Sequence, residues 1–196
     1  TRITTVGGAQ FLENGAASTY SSKGLYSDSV CGWGNCTSRT YDYNLLTAAD
    51  PGTLLDLSSV QSIDTGFNDL SGDGDNDSNR QHIVVSGGAT IDLSGLTQTT
   101  APVNNNDVLQ FDVNDPGSEI RLGSLVTLGT AGSGQTWFLM NEGTEQLLPA
   151  LQAARRVSFN LKANSKVEVG NALTELTNTR ITTVGGAQFL ENGAAS

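Results

Sequence analysis

TRITTVGGAQFLENGAAS, residues 1–18, returns letter for letter as residues 179–196. Eighteen identical residues in a row have no origin in chance or in a shared turn propensity, so they mark a repeat with a period of 179 − 1 = 178 residues. A repeat of this kind decides the fold before any local pattern does. The sequence therefore predicts one whole unit, residues 1–178, followed by the start of the next identical unit, residues 179–196. The chain reads as a window on a tandem array; an added or permuted terminus is the other origin of such a duplication.

Within the repeated stretch the pattern is Ile3, Thr5, Gly7-Gly8, Phe11, and the same cadence runs through the chain. A short alternating strand leads to a Gly or Asn turn, then to a second alternating strand, then to a Leu or Val three residues on. The clearest copies are Ile83-x-Val85, Gly87-Gly88, Ile91-x-Leu93, Leu96 and Phe111-x-Val113, Pro116-Gly117, Ile120-x-Leu122, Leu125. Leu46-x-Ala48, Pro51-Gly52, Leu55-x-Leu57, Val60 precedes them, and looser copies centre on Gly143 and Asn164. The turn positions 52, 88, 117, 143, 164 and 186 are separated by 36, 29, 26, 21 and 22 residues. A coil of about 22 residues with insertions is implied.

Period-two alternation broken by such turns predicts an all-β parallel β-solenoid (β-helix) of about six coils per 178-residue unit, each coil laying its strands on those of the one before. One coil cannot bury its apolar face alone, so neighbours are part of the fold. The inward columns are expected to be Leu55, Leu57, Ile83, Val85, Ile91, Leu93, Leu96, Phe111, Val113, Ile120, Leu122 and Leu125. A helix from Thr144 to Arg156, with Thr144 as its cap ahead of EQLLPALQAARR, competes locally, but Pro149 would remove a helical hydrogen bond and clash with the preceding turn.

The phrases VVSGGATIDLSGLT (84–97), PGTLLDLSSVQSI (51–63) and PGSEIRLGSLVTL (116–128) resemble the GGxhxLxxL coils in β-solenoid regions of giant bacterial secreted and cell-surface proteins. The resemblance implies a fibrous or adhesin-like, extracellular role and carries over no catalytic residue. Gln146 and Glu13 depart from it, standing where the better coils place an inward Ile or Leu.

Composition agrees with a turn-rich β protein: 23 of 196 residues are Gly, against a usual share of about 7%. The net charge of −10, with lysine only at Lys23, Lys162 and Lys166, gives no basic stripe for nucleic acid or anionic membrane. No apolar run approaches the roughly 18 residues of a membrane span.

Two insertions decorate the coils. Residues 18–42 read as a β-hairpin projecting from the rod, its tip closed by a Cys31–Cys36 disulfide around Gly32-Trp33-Gly34-Asn35, with two unpaired thiols as the alternative. Trp33 at that tip is a candidate partner contact, for example against a sugar, or a cover for the hairpin's own base. In residues 64–80, Asp69, Asp73, Asp75, Asp77 and Asn79 alternate oxygen ligands in a pattern suited to calcium. The match to an EF-hand loop is partial, since Ser78 replaces the turn glycine and Val84 the closing Glu. Asn35 and Asn76 are formal N-glycosylation acceptors.

Asp56, Asp92, Arg121 and Glu168 share an outward column, which puts Asp92 and Arg121 about 4.8 Å apart on adjacent strands. That is a charge ladder first and a catalytic pair second. His82, the single histidine, shows no partner in the sequence. Two functions are expected from these features. The first is a non-enzymatic structural segment of an extracellular filament or adhesin whose partners are neighbouring copies of the repeat. The alternative is a carbohydrate-binding or polysaccharide lyase-like β-helix that contacts surface glycans through Trp33 and the Asp/Arg ladder.

Overall fold

The computed structural model describes residues 1–13, 15, 17–27, 39–68 and 77–192, and all regular structure among them is β-strand. The strands are short because a Gly or Asn turn interrupts each alternating run. The first coil holds β1 (Ile3–Thr5), β2 (Gln10–Leu12) and β3 (Thr19–Ser21), and the second β4 (Thr40–Ala48), β5 (Leu54–Asp56) and β6 (Ser62–Asp64). The third holds β7 (Ser78–Val85), β8 (Thr90–Asp92) and β9 (Gln98–Thr100), and the fourth β10 (Val108–Val113), β11 (Glu119–Arg121) and β12 (Thr127–Leu128). The fifth holds β13 (Gln135–Met140), β14 (Glu145–Leu148) and β15 (Ala153–Arg155), and the sixth β16 (Val157–Leu161), β17 (Lys166–Gly170) and β18 (Glu175–Thr177). A seventh coil opens with β19 (Arg180–Thr183) and β20 (Gln188–Asn192). The segment that competed as a helix is β14, a turn and β15.

Stacking the coils produces three parallel faces. The first is one seven-stranded sheet, β1-β4-β7-β10-β13-β16-β19, and the third is six-stranded, β18-β15-β12-β9-β6-β3. The second face is split: β11-β8-β5-β2 and β14-β17-β20 are separate sheets. The chain is thus the parallel β-solenoid that its cadence predicts, with six coil steps between the first and the seventh coil.

The turn column explains the register. Gly8, Gly52, Gly88, Gly117, Gly143, Asn164 and Gly186 all lie in the left-handed region, with φ between 57° and 83°. Only Gly adopts that conformation freely, and Asn is the side chain that tolerates it best. Asn164, at φ 57°, therefore holds the glycine position without breaking the coil.

Inside, identical positions stack. Leu46, Ile83, Phe111, Phe138 and Phe159 form one column on the first face. Leu55, Ile91 and Ile120 form another on the second. All twelve residues predicted as core columns are 3% exposed or less. The phenylalanines meet ring on ring, Phe111 to Phe138 at 4.6 Å and Phe138 to Phe159 at 5.3 Å between centroids.

Two expectations about the insertions change. The residues flanking the cysteine tip do not pair as a hairpin: Thr19–Ser21 pairs with β6, and Thr40–Ala48 pairs with β1 and β7. Both flanks are strands of the rod, because parallel pairing with a neighbouring coil satisfies their backbone groups. Cys31, Cys36 and Trp33 themselves lie outside the described residues. The second difference is length, since β4 and β7 run nine and eight residues and begin well before the apolar columns. The added half of β7 carries inward Asn79 and Gln81, both fully buried. Asn79 satisfies the backbone of Ser27, accepting from its N–H at 2.8 Å and donating to its carbonyl at 3.0 Å. Gln81 donates to the Leu25 carbonyl at 2.7 Å. Loop backbone thus satisfies the inward amides of β7, and Tyr26 stacks on Phe67 at 5.9 Å.

Candidate functional site

Residues 1–13 and their copies 179–191 are described at both ends, and they fold the same way twice. Gly7 and Gly8 have φ of 68° and 75°, Gly185 and Gly186 of 59° and 83°. Ala9 donates to the Val6 carbonyl at 3.3 Å, and Ala187 to that of Val184 at 3.2 Å. The two copies differ in which edge is occupied. In the first copy Ile3 pairs with Leu46 and Phe11 with Leu55, both in the following coil. In the second, Ile181 pairs with Phe159 and Phe189 with Val167, both in the preceding coil. Each copy leaves open the edge that the other fills. Inward-column side chains are consequently uncovered at both ends, Phe11 being 40% exposed at one and Ile181 41% and Leu176 46% at the other.

The outward column of the second face contains the predicted ladder. Asp56 pairs with Asp92 and Asp92 with Arg121 across β5, β8 and β11, and Glu168 stands in the same column between Leu147 and Leu190. Arg121 bonds Asp92 at 3.2 Å and Glu119 at 3.0 Å. Burial works against the charge on Asp92, but bonds from Ser94 and Arg121 outweigh it and hold the carboxyl below its usual range. Its charge is matched on the spot, as in a surface ladder.

Beside the ladder the split in the second face opens a cleft of about 620 Å³ lined by Glu119, Arg121, Glu145, Leu147 and Pro149. Gln146 causes it. In the inward column occupied by Ile120 and Val167, Gln146 is 2% exposed, and its Nε2 donates to the Ile120 carbonyl at 2.9 Å. A side-chain amide thus takes an acceptor that a ladder N–H would use, while Gln146 Oε1 is buried with no partner. Such a half-satisfied amide is costly. Gln146→Ile is expected to raise stability by about 1–2 kcal/mol and to let β11 and β14 pair. Urea unfolding and slowed amide exchange at residues 119–121 and 145–148 check this, and lower stability with unchanged exchange would refute it.

His82 is the site that the sequence missed. On the outward side of β7 its Nδ1 meets Asp112 Oδ2 at 2.8 Å and its Nε2 meets Asp42 Oδ1 at 3.0 Å. The two carboxylates stand 30 and 40 residues away in sequence, one coil to either side. An imidazolium can donate to both at once and a neutral ring to only one. Burial opposes the charge, but the two carboxylates outweigh it and lift the pKa above the ordinary value. A folded-state pKa above the unfolded one gives stability that is complete below about pH 6.5 and is lost as pH rises through the folded value. His82→Gln should therefore narrow its deficit against the parent as pH rises from 5.5 to 8.5. Parallel melting curves check it, and a deficit constant over that range would remove the ion-pair account.

Of the proposed calcium ligands, Asp69, Asp73 and Asp75 lie outside the described residues. Asp77 accepts from the Arg39 N–H at 2.8 Å, and the Asn79 amide is committed to Ser27. Among the described residues no three His, Cys, Asp or Glu side chains gather as a metal site, and no helix is long and apolar enough to cross a membrane. Glu13, the other departure in the inward columns, turns its carboxylate onto the N–H groups of Gly15 and Ala17, both at 3.0 Å. Comparison with protein-family models, curated proteins and solved structures found no match to this chain.

Proposed function

We propose that this chain is a structural segment of a long extracellular filament or surface fibre of the adhesin kind, built by end-to-end stacking of β-solenoid coils. The observation that carries the reading is the repeated coil, folded alike at both ends and engaged through opposite edges. Superposing the two copies seats Leu46 and Leu55 of a following unit over Ile181 and Phe189 in the register already used over Ile3 and Phe11. The inward columns then run on without a break, and the open edges are covered by strands of known partner sequence. Open sheet edges otherwise invite indiscriminate pairing.

The role is mechanical and non-catalytic. Six coil steps at roughly 4.8 Å each make a unit rise of about 29 Å. A Cys31–Cys36 disulfide and a calcium ion on the acidic segment belong to the same extracellular reading. They predict a mass change on reduction and alkylation and a melting temperature raised by calcium. The test of the whole is electron microscopy of the native material together with its intact mass. Continuous rods with an axial repeat near 29 Å support the array; compact particles of one unit's mass would overturn it.

A further inference from the structure

The outward side of the first face changes sign along the rod. Around His82 it carries Asp42 and Asp112, but four coils on it carries Arg180. Ser158 pairs with Trp137 on one side and with Arg180 on the other, so these three stand in one outward row across β13, β16 and β19. The Arg80 guanidinium lies 5.4 Å over the Trp137 ring, a distance at which cation and ring attract. Beside this row runs an open groove of about 370 Å³ down the corner between the third and first faces, to which coils four to seven each contribute.

Its lining is wholly polar, with Arg156, Arg180, Asn105, Asn178, Ser133 and Ser158 among its residues and no carboxylate. In a chain of net charge −10 that is an unusual concentration of uncompensated positive charge. The neighbouring Arg155 shows the ordinary alternative, since Glu175 holds it through two bonds of 2.7 and 2.6 Å. Among the described residues, neither Arg156 nor Arg180 has an ion-pair partner, and the side chains of Arg180, Ser158 and Asn178 have no hydrogen-bond partner.

The site is built rather than incidental. Arg156 sits at the corner with φ 56°, a left-handed conformation uncommon for a long side chain, and its Nη1 is anchored to the Ser133 carbonyl at 3.0 Å. Gln135 bridges the groove to the aromatic row, its Oε1 accepting the indole N–H of Trp137 at 2.9 Å. The lining thus combines one anchored guanidinium, that of Arg156, and one free one, that of Arg180, with amides and hydroxyls that both donate and accept, beside an indole.

From this juxtaposition we infer that the groove binds an oligosaccharide bearing one or two carboxylates. Guanidinium forks pair with carboxylates, the amides and hydroxyls match sugar hydroxyls, and the indole edge offers an apolar flank to a ring. A bare inorganic anion would leave the acceptors unused, and a nucleic acid would meet the repulsion of the remaining acidic surface. The inference does not depend on whether units concatenate.

The test is calorimetric titration of the chain with trigalacturonate, its methyl ester, inorganic phosphate and a short single-stranded DNA. The acid is expected to bind, and the ester at least tenfold more weakly. Arg156→Gln and Arg180→Gln should each weaken the acid about tenfold or more, the loss of one charge-assisted bond, while Arg155→Gln leaves it unchanged. Arg180 is exposed, so its variant reports on binding even if Arg156→Gln fails to fold. Equal binding of acid and ester, indifference to both substitutions, tighter binding of phosphate or DNA, or no binding of the acid would each overturn the proposal.

Discussion

Phe138→Ala is expected to lower the unfolding free energy by about 3–5 kcal/mol. The ring is fully buried in the first face, nearly parallel to Phe111 at an interplanar angle of 6° and inclined to Phe159 at 24°. Truncation removes the transfer free energy of the side chain and both ring contacts, and leaves a cavity between two coils whose backbones are held by parallel ladders above and below. Because those ladders fix the coil spacing, the neighbours cannot collapse into the space. Phe11, 40% exposed in the first coil, is the internal comparison. Its truncation should cost markedly less, since much of its area is in water already. Urea unfolding followed by far-UV circular dichroism reads both. Similar midpoints for the parent and Phe138→Ala would mean that the stacked column does not hold the rod together.

Gly95→Ala should be comparably severe, on the order of 3 kcal/mol or more, although it adds a single methyl group. Gly95 lies in the turn between β8 and β9, directly over the corresponding turn of the coil beneath. A Cβ there would collide with the Ser58 carbonyl oxygen and stand 3.3 Å from its carbon. Both are backbone atoms, so no side chain can swing aside, and the second and third coils would have to part. Leu57 and Leu93, and Val60 and Leu96, would lose packing together. Gly123→Ala, one coil further on with nothing within 4 Å of the added Cβ, is the control. It should fall within about 0.5 kcal/mol of the parent, and an equal loss at both positions would show that glycine content rather than close stacking sets the sensitivity.

The coil period, the turn column and the apolar columns were legible in the sequence because each rests on a local rule. A Gly or Asn marks a left-handed turn, and alternation marks a strand. What escaped reading depends on register between coils separated by insertions of unequal length. Asn79 and Gln81 alternate inward as regularly as Ile83 and Val85, but their polarity hides them until the backbone of residues 22–27 is seen to satisfy them. His82 had no visible partner because its two carboxylates come from different coils, and the arginines around Trp137 gather for the same reason. Gln146 was visible as a departure from the motif. Its consequence was not, since nothing local says that a misplaced amide will unzip one face. The flanks of the cysteine tip misled in the opposite direction, because a strand-forming composition does not say which strand it will pair with.

The split second face has a mechanical consequence. Between the fourth and fifth coils two ladders hold the stack, where most levels have three. That level is softer in bending toward one side than toward the other two, because opening the second face there breaks the Gln146 bond to Ile120 and no ladder. Pulled along its axis, the rod should yield first at this seam, as a zip starting from a notch. A thread containing one such seam in every unit would give way in equal, recoverable increments, absorbing a sudden load without snapping.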